Sequence, residues 1–395
     1  MVWGAKDLIV VKVGTSTLMK SVSDEQRVNL ANMGALVDTI TTLHKQGYGV
    51  IIVTSAAVGF GCLKLKILRR PAQLALKQAV AAAGQSHLIR MYEDLFGVYG
   101  VNVAQLLLSR FDFAAKDRFA NVLNAIRELL ALKVIPIINE NDTVSTEELR
   151  FGDNDTLSAL VAVGVDASRL FLLSDVDTLF TANPRTVVDA KPVLDVTAAE
   201  LSTIGGADAS GNSDWGTGGM MTKIIAARTA VCAGIPVVLS HGAHPDRILE
   251  YLTFLKSGIS RPPCTVFHAP DPGLSVSPTS TMNPHRRWLL ALPVRGRLLL
   301  DAGACKAVTS KKNSLLAAGV KDVSGNFLRD ECVALVSEET GTEIARGLMN
   351  LDAHEVSKVK GLKSSQHERV LGYSSSPEII YRSNICILAL YSDFS

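Results

Sequence analysis

The side chains best suited to chemistry are lysines that stand beside glycines. Lys223 closes the stretch Gly216–Lys223, in which three glycines occupy four positions, and an apparently helical run begins directly after it. The backbone N–H groups of such a loop at a helix N-terminus can hold a phosphate, and the lysine adds a movable positive charge. The spacing is neither that of a Walker A loop nor that of G-x-G-x-x-G. The stretch therefore predicts phosphate binding, with a plain flexible loop as the alternative.

Lys12 is a second lysine of this kind. It lies in the apolar run Leu8–Val13, which is followed by Gly14-Thr15-Ser16. Lysine is almost never fully buried without a partner, and the glycine lets a phosphate approach beside the ammonium group. We therefore favour a functional role for Lys12 over a lysine that merely extends its ammonium group to solvent from the end of a strand.

Carboxylates and amides are concentrated in two short segments. Asp153, Asn154 and Asp155 stand together just before a predicted helix, and Asn139–Asp142 follows a predicted strand. One aspartate at a helix start is usually a cap, but two aspartates with an intervening asparagine exceed that need. They could hold Mg²⁺ through water, orient the lysines or bind an ammonium group. For Asn139–Asp142 the alternative is an ordinary turn.

Strands and helices that alternate along the chain must position these residues. Buried strands are predicted from apolar runs, and helices from helical spacing or from a high content of Ala, Leu and Gln. The predicted strands are 8–13, 50–53, 101–108, 134–138, 170–173 and 237–239, and the predicted helices are 33–43, 72–96, 121–132, 157–163 and a run from 224. This alternation predicts an α/β fold, in which helices cover both faces of an open, mostly parallel sheet.

Polar clusters stand where four of the predicted strands end. They are Gly14–Ser16, Thr54-Ser55, Asn139–Asp142 and Ser174-Asp175. Since ligands in such sheets bind beyond the carboxyl ends of the strands, these clusters predict one pocket. Ser55 has no G-x-S-x-G context, so a nucleophilic serine is disfavoured. Two separated lysines, a glycine loop and acidic residues together indicate phosphoryl transfer by an ATP-dependent small-molecule kinase.

Composition disfavours several other classes of protein. The chain has 395 residues, 47% of them hydrophobic, and a formal net charge of +2, so no strong field points to nucleic acid or a membrane. It has no signal-peptide pattern and no apolar run of the length that a membrane span needs. Six cysteines without a C-x-x-C pair predict reduced thiols in a cytoplasmic protein.

The sequence pattern changes from about residue 261. Prolines, serines and threonines accumulate up to Pro284, and short predicted strands follow at 296–300, 333–336 and 379–381. We therefore predict a first domain over 1–268, a linker over 269–290 and a small β-rich domain over 291–388. From Arg286 onward there are 15 basic and 12 acidic residues, so this domain carries little net charge.

In order and spacing, these motifs resemble the amino acid kinase family, and in particular members that phosphorylate glutamate and carry a C-terminal PUA domain. The resemblance covers nearly the whole chain. It rests on Val11–Ser16, Ile52–Ser55, Tyr99-Gly100 with Gln105, Ile138–Asp142, Phe151–Asp155, Ser174-Asp175, Gly216–Lys223 and Gly325–Phe327. It implies the amino acid kinase fold for the first domain and a PUA-like second domain.

The resemblance also implies a reaction and roles for individual residues. ATP would phosphorylate the γ-carboxylate of L-glutamate, with Mg²⁺ and without a protein ligand to the metal, as the first step of proline biosynthesis. Lys12, Asp155 and Lys223 would be catalytic, and Ser55, Asp142 and Asn154 would bind glutamate. The implied ATP-binding residues are Lys12, Gly14, Ser174, Asp175, Thr217, Gly218, Gly219, Met220, Met221, Thr222 and Lys223. Feedback inhibition by proline and a homo-oligomer are implied as well.

Next to Ser55 the sequence departs from the family pattern. The family usually has glycine after Ser55, whereas this chain has Ala56, which would be strained if the position requires a positive φ.

Three alternative functions remain open at this point: another amino acid kinase (for aspartate, acetylglutamate, carbamate or a nucleotide), an RNA-binding protein acting through the PUA-like domain, and a regulatory pseudo-kinase. The small charge and the lack of an aromatic and basic stripe disfavour RNA binding. The intact lysines and Asp155 disfavour a pseudo-kinase.

Overall fold

A computed structural model of the chain describes residues 8–22, 25–144, 154–182, 184, 187, 189–204, 218–269, 284–292, 294–373 and 375–388. The chain forms two compact units. The first comprises residues 1–196, 214–230 and 235–268, and the second comprises residues 197–213, 231–234 and 269–395. Among the described residues, no helix is long and apolar enough to cross a membrane.

Up to His268 the chain alternates between strands and helices, as predicted. The strands are β1 (Leu8–Val13), β2 (Met19–Val22), β3 (Glu25–Val28), β4 (Gly49–Thr54), β5 (Val103–Leu108), β6 (Ile135–Glu140), β7 (Arg169–Ser174), β8 (Leu179–Phe180), β9 (Pro192–Val193), β10 (Asp195–Val196), β11 (Val237–His241) and β12 (Thr265–Phe267). The helices are α1 (Thr15–Leu18), α2 (Leu30–Lys45), α3 (Ala57–Lys64), α4 (Leu74–Gly97), α5 (Arg110–Ala114), α6 (Lys116–Ala131), α7 (Asn154–Val165), α8 (Ala198–Thr203), α9 (Gly218–Cys232) and α10 (Arg247–Ser257).

Eight strands form the central sheet, in the order β10-β12-β11-β7-β1-β4-β6-β5. The six predicted strands are confirmed, and each pairs in parallel with its neighbour among them. The pairs β12–β11 and β10–β12 were not predicted. The first is antiparallel and the second parallel, so both added strands oppose the other six. Strand β12 has three residues and β10 has two, so both are too short to show an apolar period in the sequence.

Strand β1 lies in the middle of this sheet, where the strand order reverses. Its neighbours are β4 on one side and β7 on the other, and all residues of β1 and β4 are buried. Runs such as Leu8–Val13 form buried strands because a parallel sheet is covered on both faces. The reversal opens a crevice beyond the carboxyl ends of the strands, which is where ligands bind in open α/β sheets.

Helices α3 and α4 pack against each other unusually closely. A Cβ atom at Gly61 would lie 1.9 Å from the backbone oxygen of Val80, and one at Gly84 would lie 1.9 Å from that of Ala57. Only glycine allows this separation between the two helices. Because α3 begins just after Ser55, the contact fixes α4 relative to the end of β4.

The second unit contains a β-rich fold beyond residue 284, as predicted. A five-stranded sheet has the order β15-β13-β16-β17-β19, and β14 pairs with β18. These strands are β13 (Val294–Leu300), β14 (Leu315–Leu316), β15 (Val320–Gly325), β16 (Cys332–Ser337), β17 (Glu343–Leu348), β18 (Glu378–Ile380) and β19 (Ile385–Ile387). The helices are α11 (Pro284–Ala291), α12 (Ala302–Thr309), α13 (Ala353–Val359) and α14 (His367–Leu371). Helix α11 falls mostly within the stretch predicted as a linker.

Candidate active site

Asp155 joins the two predicted lysines. Its Oδ1 lies 2.5 Å from Nζ of Lys12 and its Oδ2 lies 3.1 Å from Nζ of Lys223. Lys12 comes from β1, Lys223 from α9, and Asp155 from the first turn of α7, where the helix dipole favours a negative charge. Asp155 is fully buried and Lys12 is 6% exposed. Three residues that are far apart in the sequence thus form one cluster.

The charges of this cluster stabilise one another. Burial by itself would raise the pKa of Asp155, but the ammonium groups of Lys12 and Lys223 hold that pKa below its usual value. The carboxylate is therefore ionised at neutral pH. Two positive charges against one negative charge leave the cluster with a net charge of about +1. Such a cluster attracts an anionic group.

The first two turns of α9 position Lys223 and contain further residues that were predicted to bind ATP. Oγ1 of Thr222 lies 3.0 Å from Oδ2 of Asp155 and 2.9 Å from the backbone oxygen of Gly219, and its single proton can be donated to either oxygen. Lys223 also donates to the oxygen of Gly219, at 3.1 Å. Gly218, Gly219, Met220 and Met221 open this helix, which therefore begins six residues earlier than the run predicted from residue 224. Thr217 lies outside the described residues.

Glycines keep space open beside the two lysines. A Cβ atom at Gly14 would lie 3.5 Å from Nζ of Lys12, so a side chain there would cover the ammonium group. A Cβ atom at Gly219 would meet nothing within 4 Å. Both positions thus allow a ligand to approach the backbone closely.

Ser174 and Asp175 lie at the same sheet edge, at the end of β7. Ser174 is buried and its Oγ donates to Oδ1 of Asp175 at 3.2 Å, while Asp175 is exposed. The edge is tightly fixed: the N–H of Gly242 donates to the oxygen of Ser174 at 2.7 Å, and Asn32 donates to the oxygens of Gly242 and Thr17 at 2.8 Å each. The structure therefore places Ser174 and Asp175 beside β1, as the strand pattern predicted.

A cavity of about 1080 Å³ opens beside Lys12. The three residues predicted to bind glutamate, Ser55, Asp142 and Asn154, all line it. Of the described lining residues, two carry carboxylates and five carry positive charges. The carboxylates are those of Glu140 and Asp142, and the cations are those of Lys12, Lys66, Arg69, Arg70 and Lys77. A concave surface with this excess of positive charge concentrates anions.

Asn154 connects the ends of two strands at the cavity wall. Its Nδ2 lies 2.8 Å from the oxygen of Thr54, 3.0 Å from Oγ of Ser55 and 2.9 Å from Oδ1 of Asn139. Its own Oδ1 is buried and accepts no hydrogen bond among the described residues. Asn139 is buried within β6, so the segment predicted as Asn139–Asp142 begins in the strand and not in a turn.

Ala56 adopts the strained conformation that the sequence raised as a possibility. Its φ is 82° and its ψ is 4°, in the left-handed region, and it immediately precedes α3. A non-glycine residue in that region is destabilised by a contact between its Cβ atom and the backbone. Alanine at this position is therefore less stable than glycine would be.

Several residues of this site were not predicted. The sequence does contain the basic run Lys64–Arg70 between two helical patterns, which could have indicated the cationic cavity wall. No comparable signal marks Gln85, whose Oε1 accepts from Nδ2 of Asn139 at 2.8 Å. A glutamine within a long helix is ordinarily a surface residue, so only the three-dimensional packing reveals this contact.

Comparison with known proteins agrees with the predicted family and fold. Residues 7–241 match the amino acid kinase family and residues 296–371 match the PUA domain. A glutamate 5-kinase of Rippkaea orientalis is 42% identical over 383 residues, which are 97% of this chain and 99% of that protein. The glutamate 5-kinases of Synechococcus elongatus and a Nostoc species are 43% and 45% identical over 96% of this chain, and over 99% and 96% of their own lengths. The chain therefore belongs to the amino acid kinase family, and to the glutamate 5-kinases within it.

Proposed function

We propose that Lys12, Asp155 and Lys223 form the phosphoryl-transfer centre of this chain and that the adjoining cavity binds the acceptor. The chain is a glutamate 5-kinase, which phosphorylates glutamate with ATP in the first step of proline biosynthesis. One observation carries the residue assignment: two lysines share one buried carboxylate at the sheet edge, beside a cavity with excess positive charge.

The transfer needs little covalent help from the protein. The γ-carboxylate of glutamate is already ionised at neutral pH, so no general base is required. Negative charge spreads over the oxygens of the transferring phosphoryl group, and fixed positive charges stabilise it. Lys12 and Lys223 supply those charges, and Asp155 keeps both ammonium groups in place.

The cavity offers complementary groups for the rest of glutamate. We assign its binding to Ser55, Asp142 and Asn154. The unpaired Oδ1 of Asn154 is suited to accept a hydrogen bond from the α-ammonium group, because a buried acceptor is costly without a donor. The cationic wall favours an acidic amino acid over a neutral one.

The nucleotide would occupy the other side of Lys12. We assign its phosphates to Lys12, Gly14, the start of α9 (Gly218 to Lys223) and the preceding Thr217, because backbone N–H groups at a helix N-terminus bind phosphate. Ser174 and Asp175 are the remaining proposed ATP contacts.

Mg²⁺ is proposed to bind through the phosphates of the nucleotide. Among the described residues, no group of three or more His, Cys, Asp or Glu side chains could hold a metal ion. Mg²⁺ commonly keeps several waters and is held largely by substrate phosphates, so we expect the ion to enter the site with ATP. The ion would add positive charge to the transferring group.

Regulation, assembly and domain limits remain proposals. Feedback inhibition by proline and a homo-oligomer are proposed from the family resemblance, and a cytoplasmic location is proposed from the six cysteines without a C-x-x-C pair. The boundaries at residues 268 and 290 are likewise retained as a prediction.

The function is tested by trapping the product. The purified full chain is incubated with ATP and Mg²⁺, with hydroxylamine present to convert an acyl phosphate into a hydroxamate. Glutamate, aspartate and acetylglutamate are compared, with omission of Mg²⁺ as a control. Hydroxamate from glutamate alone is expected. Hydroxamate from another acid instead would identify that acid as the substrate. The absence of hydroxamate with all three acids would refute the assignment.

A further inference from the structure

A buried chain of hydrogen bonds runs from helix α4 to the wall of the cavity. Gln85 accepts from Asn139 at 2.8 Å, and Oδ1 of Asn139 lies 2.9 Å from Nδ2 of Asn154. Asn154 in turn contacts Ser55 Oγ and the backbone oxygen of Thr54. Gln85 is 9% exposed and Asn139 is 2% exposed, so water has little access to the first link.

The donors and acceptors of this chain fix the orientation of each amide. Oδ1 of Asn139 lies within hydrogen-bond distance of two N–H donors, the backbone N–H of Glu140 at 2.9 Å and Nδ2 of Asn154. The other end of the Asn139 amide must therefore donate, and Gln85 supplies the acceptor. Without it, a buried N–H would lose its partner, which is a costly state. Exchanging the oxygen and nitrogen positions of the Asn139 side-chain amide would instead bring its N–H groups against the N–H groups of Asn154.

A second contact ties the same face of α4 to the neighbouring strand end. Tyr92 lies two turns after Gln85 and is fully buried, and its hydroxyl is 3.0 Å from Oγ1 of Thr54. Residues seven apart lie on one helix face. Burial raises the pKa of Tyr92, so the hydroxyl remains protonated at all ordinary pH values. Helix α4 therefore contacts the ends of both β4 and β6, which carry Ser55 and Asn139.

We propose that Gln85 is a positioning residue for glutamate, which acts through Asn139 to hold Asn154 and Ser55 in their binding orientation. This inference rests on the proposed role of Asn154 and Ser55. Gln85 does not line the cavity among the described residues, and its hydrogen bond to Asn139 leads to the proposed glutamate-binding residues rather than to Lys12 or Lys223. Its loss should therefore weaken glutamate recognition and leave nucleotide recognition unchanged.

The test compares two substitutions at Gln85 in the full chain. Gln85→Met removes the acceptor at similar length, and we expect the KM for glutamate to rise roughly tenfold while the KM for ATP stays within about twofold. Gln85→Glu keeps an acceptor oxygen at the same reach and should restore most of the glutamate affinity. An unchanged KM for glutamate in a folded Gln85→Met variant would overturn the proposal.

A matched control separates positioning from general packing. Leu88 lies on α4 between Gln85 and Tyr92 and is fully buried, but it contributes no polar group. Leu88→Ala should lower thermal stability and leave the ratio of the two KM values unchanged. If it raises the KM for glutamate as much as Gln85→Met does, Gln85 has only a structural role.

A double variant tests the route of the effect. If Gln85 acts through Asn154, Gln85→Met should change the KM for glutamate little once Asn154→Ala is present. Fully additive effects would contradict the route. Failure of the wild-type chain to phosphorylate glutamate would instead refute the proposed function, so the two failures are distinguishable.

Discussion

Asp155 binds two ammonium groups with a single carboxylate, so each lysine depends on the same buried partner. Lys12 is held on a rigid strand, whereas Lys223 lies in the second turn of a helix and also donates to Gly219. Removing Lys223 leaves the Lys12–Asp155 pair intact and neutral overall. The site would then lack the extra positive charge that a transferring phosphoryl group requires.

Lys223→Ala should consequently fold normally and turn over much more slowly. We expect kcat to fall roughly a hundred- to a thousandfold, as is typical when one stabilising donor of a transition state is lost. The measurement is hydroxamate formation together with circular dichroism. Lys116→Ala is the control, since Lys116 is an exposed lysine that does not line the cavity. Unchanged turnover in a folded Lys223→Ala variant would remove this lysine from the mechanism.

The strain at Ala56 leads to a second prediction at the residue scale. Ala56→Gly should stabilise the chain by about 1 kcal/mol, because glycine removes the Cβ contact that a positive φ produces. Ala57→Gly is the control: Ala57 is the first helical residue of α3, where glycine should destabilise by about 0.5–1 kcal/mol. Denaturant unfolding measures both. Equal destabilisation by the two substitutions would mean that Ala56 is not strained.

Single residues were predictable where their type alone carries chemistry. Lys12 and Lys223 stand out because each follows or precedes glycines, and Asp155 stands out in a dense acidic segment. Their shared contact is a tertiary feature: the residue types raised it as one of three roles for the acidic segment, and the family resemblance selected it. Gln85 could not be found, because a glutamine has the same local pattern whether its amide meets water or a buried asparagine.

At the scale of elements, helix α4 depends on its close contact with α3. A Cβ atom at Gly84 would lie 1.9 Å from the oxygen of Ala57 and 2.3 Å from the backbone nitrogen of Gly61. Neither atom belongs to a flexible side chain, so the helices themselves must separate. That movement would displace Gln85, the adjacent residue.

Gly84→Ala should therefore reduce both stability and glutamate recognition. We expect a loss of about 1–3 kcal/mol in the free energy of unfolding, as for other overpacked contacts, and a higher KM for glutamate. Gly97→Ala is the control in the same helix, because Gly97 is exposed and a Cβ atom there meets nothing within 4 Å. Denaturant unfolding and the glutamate titration are compared for the two variants. Similar results for both would contradict the close contact.

Elements were predictable in proportion to their length and burial. Five of the six predicted strands were found because they are largely buried apolar runs, whereas only Leu108 is buried in the edge strand β5, which was found from its apolar residues. The sheet edge followed from the polar residues at the ends of β1, β4 and β7. The hairpin of β2 and β3 was missed, since its residues are largely exposed and polar and give no clear period. The direction of β12 depends on pairing with β11, which no local pattern encodes.

For the whole molecule, pH acts on stability through groups in both units. The pKa of a buried thiol is raised because burial disfavours the thiolate. In the first unit this applies to Cys264, and in the second to Cys332, whose pKa is raised to about 12, and to Cys386, whose pKa is raised to about 11. The ordinary value is 9.0. A raised pKa contributes stability that is complete below the ordinary value and is lost as pH rises through the folded value.

The chain should consequently lose stability between about pH 9 and pH 12, because thiols ionise in the unfolded chain before they ionise in the folded one. Cys332→Val should reduce this loss of stability. The midpoint temperature of thermal unfolding of the variant minus that of wild type should be constant up to about pH 8 and should increase by pH 10. Calorimetry across this range measures the difference. Cys305→Val is the comparison, because Cys305 is only partly buried and should flatten the curve less. Parallel curves for Cys332→Val and wild type at every pH would show that Cys332 ionises equally easily in both states, and would remove it as a cause of alkaline unfolding.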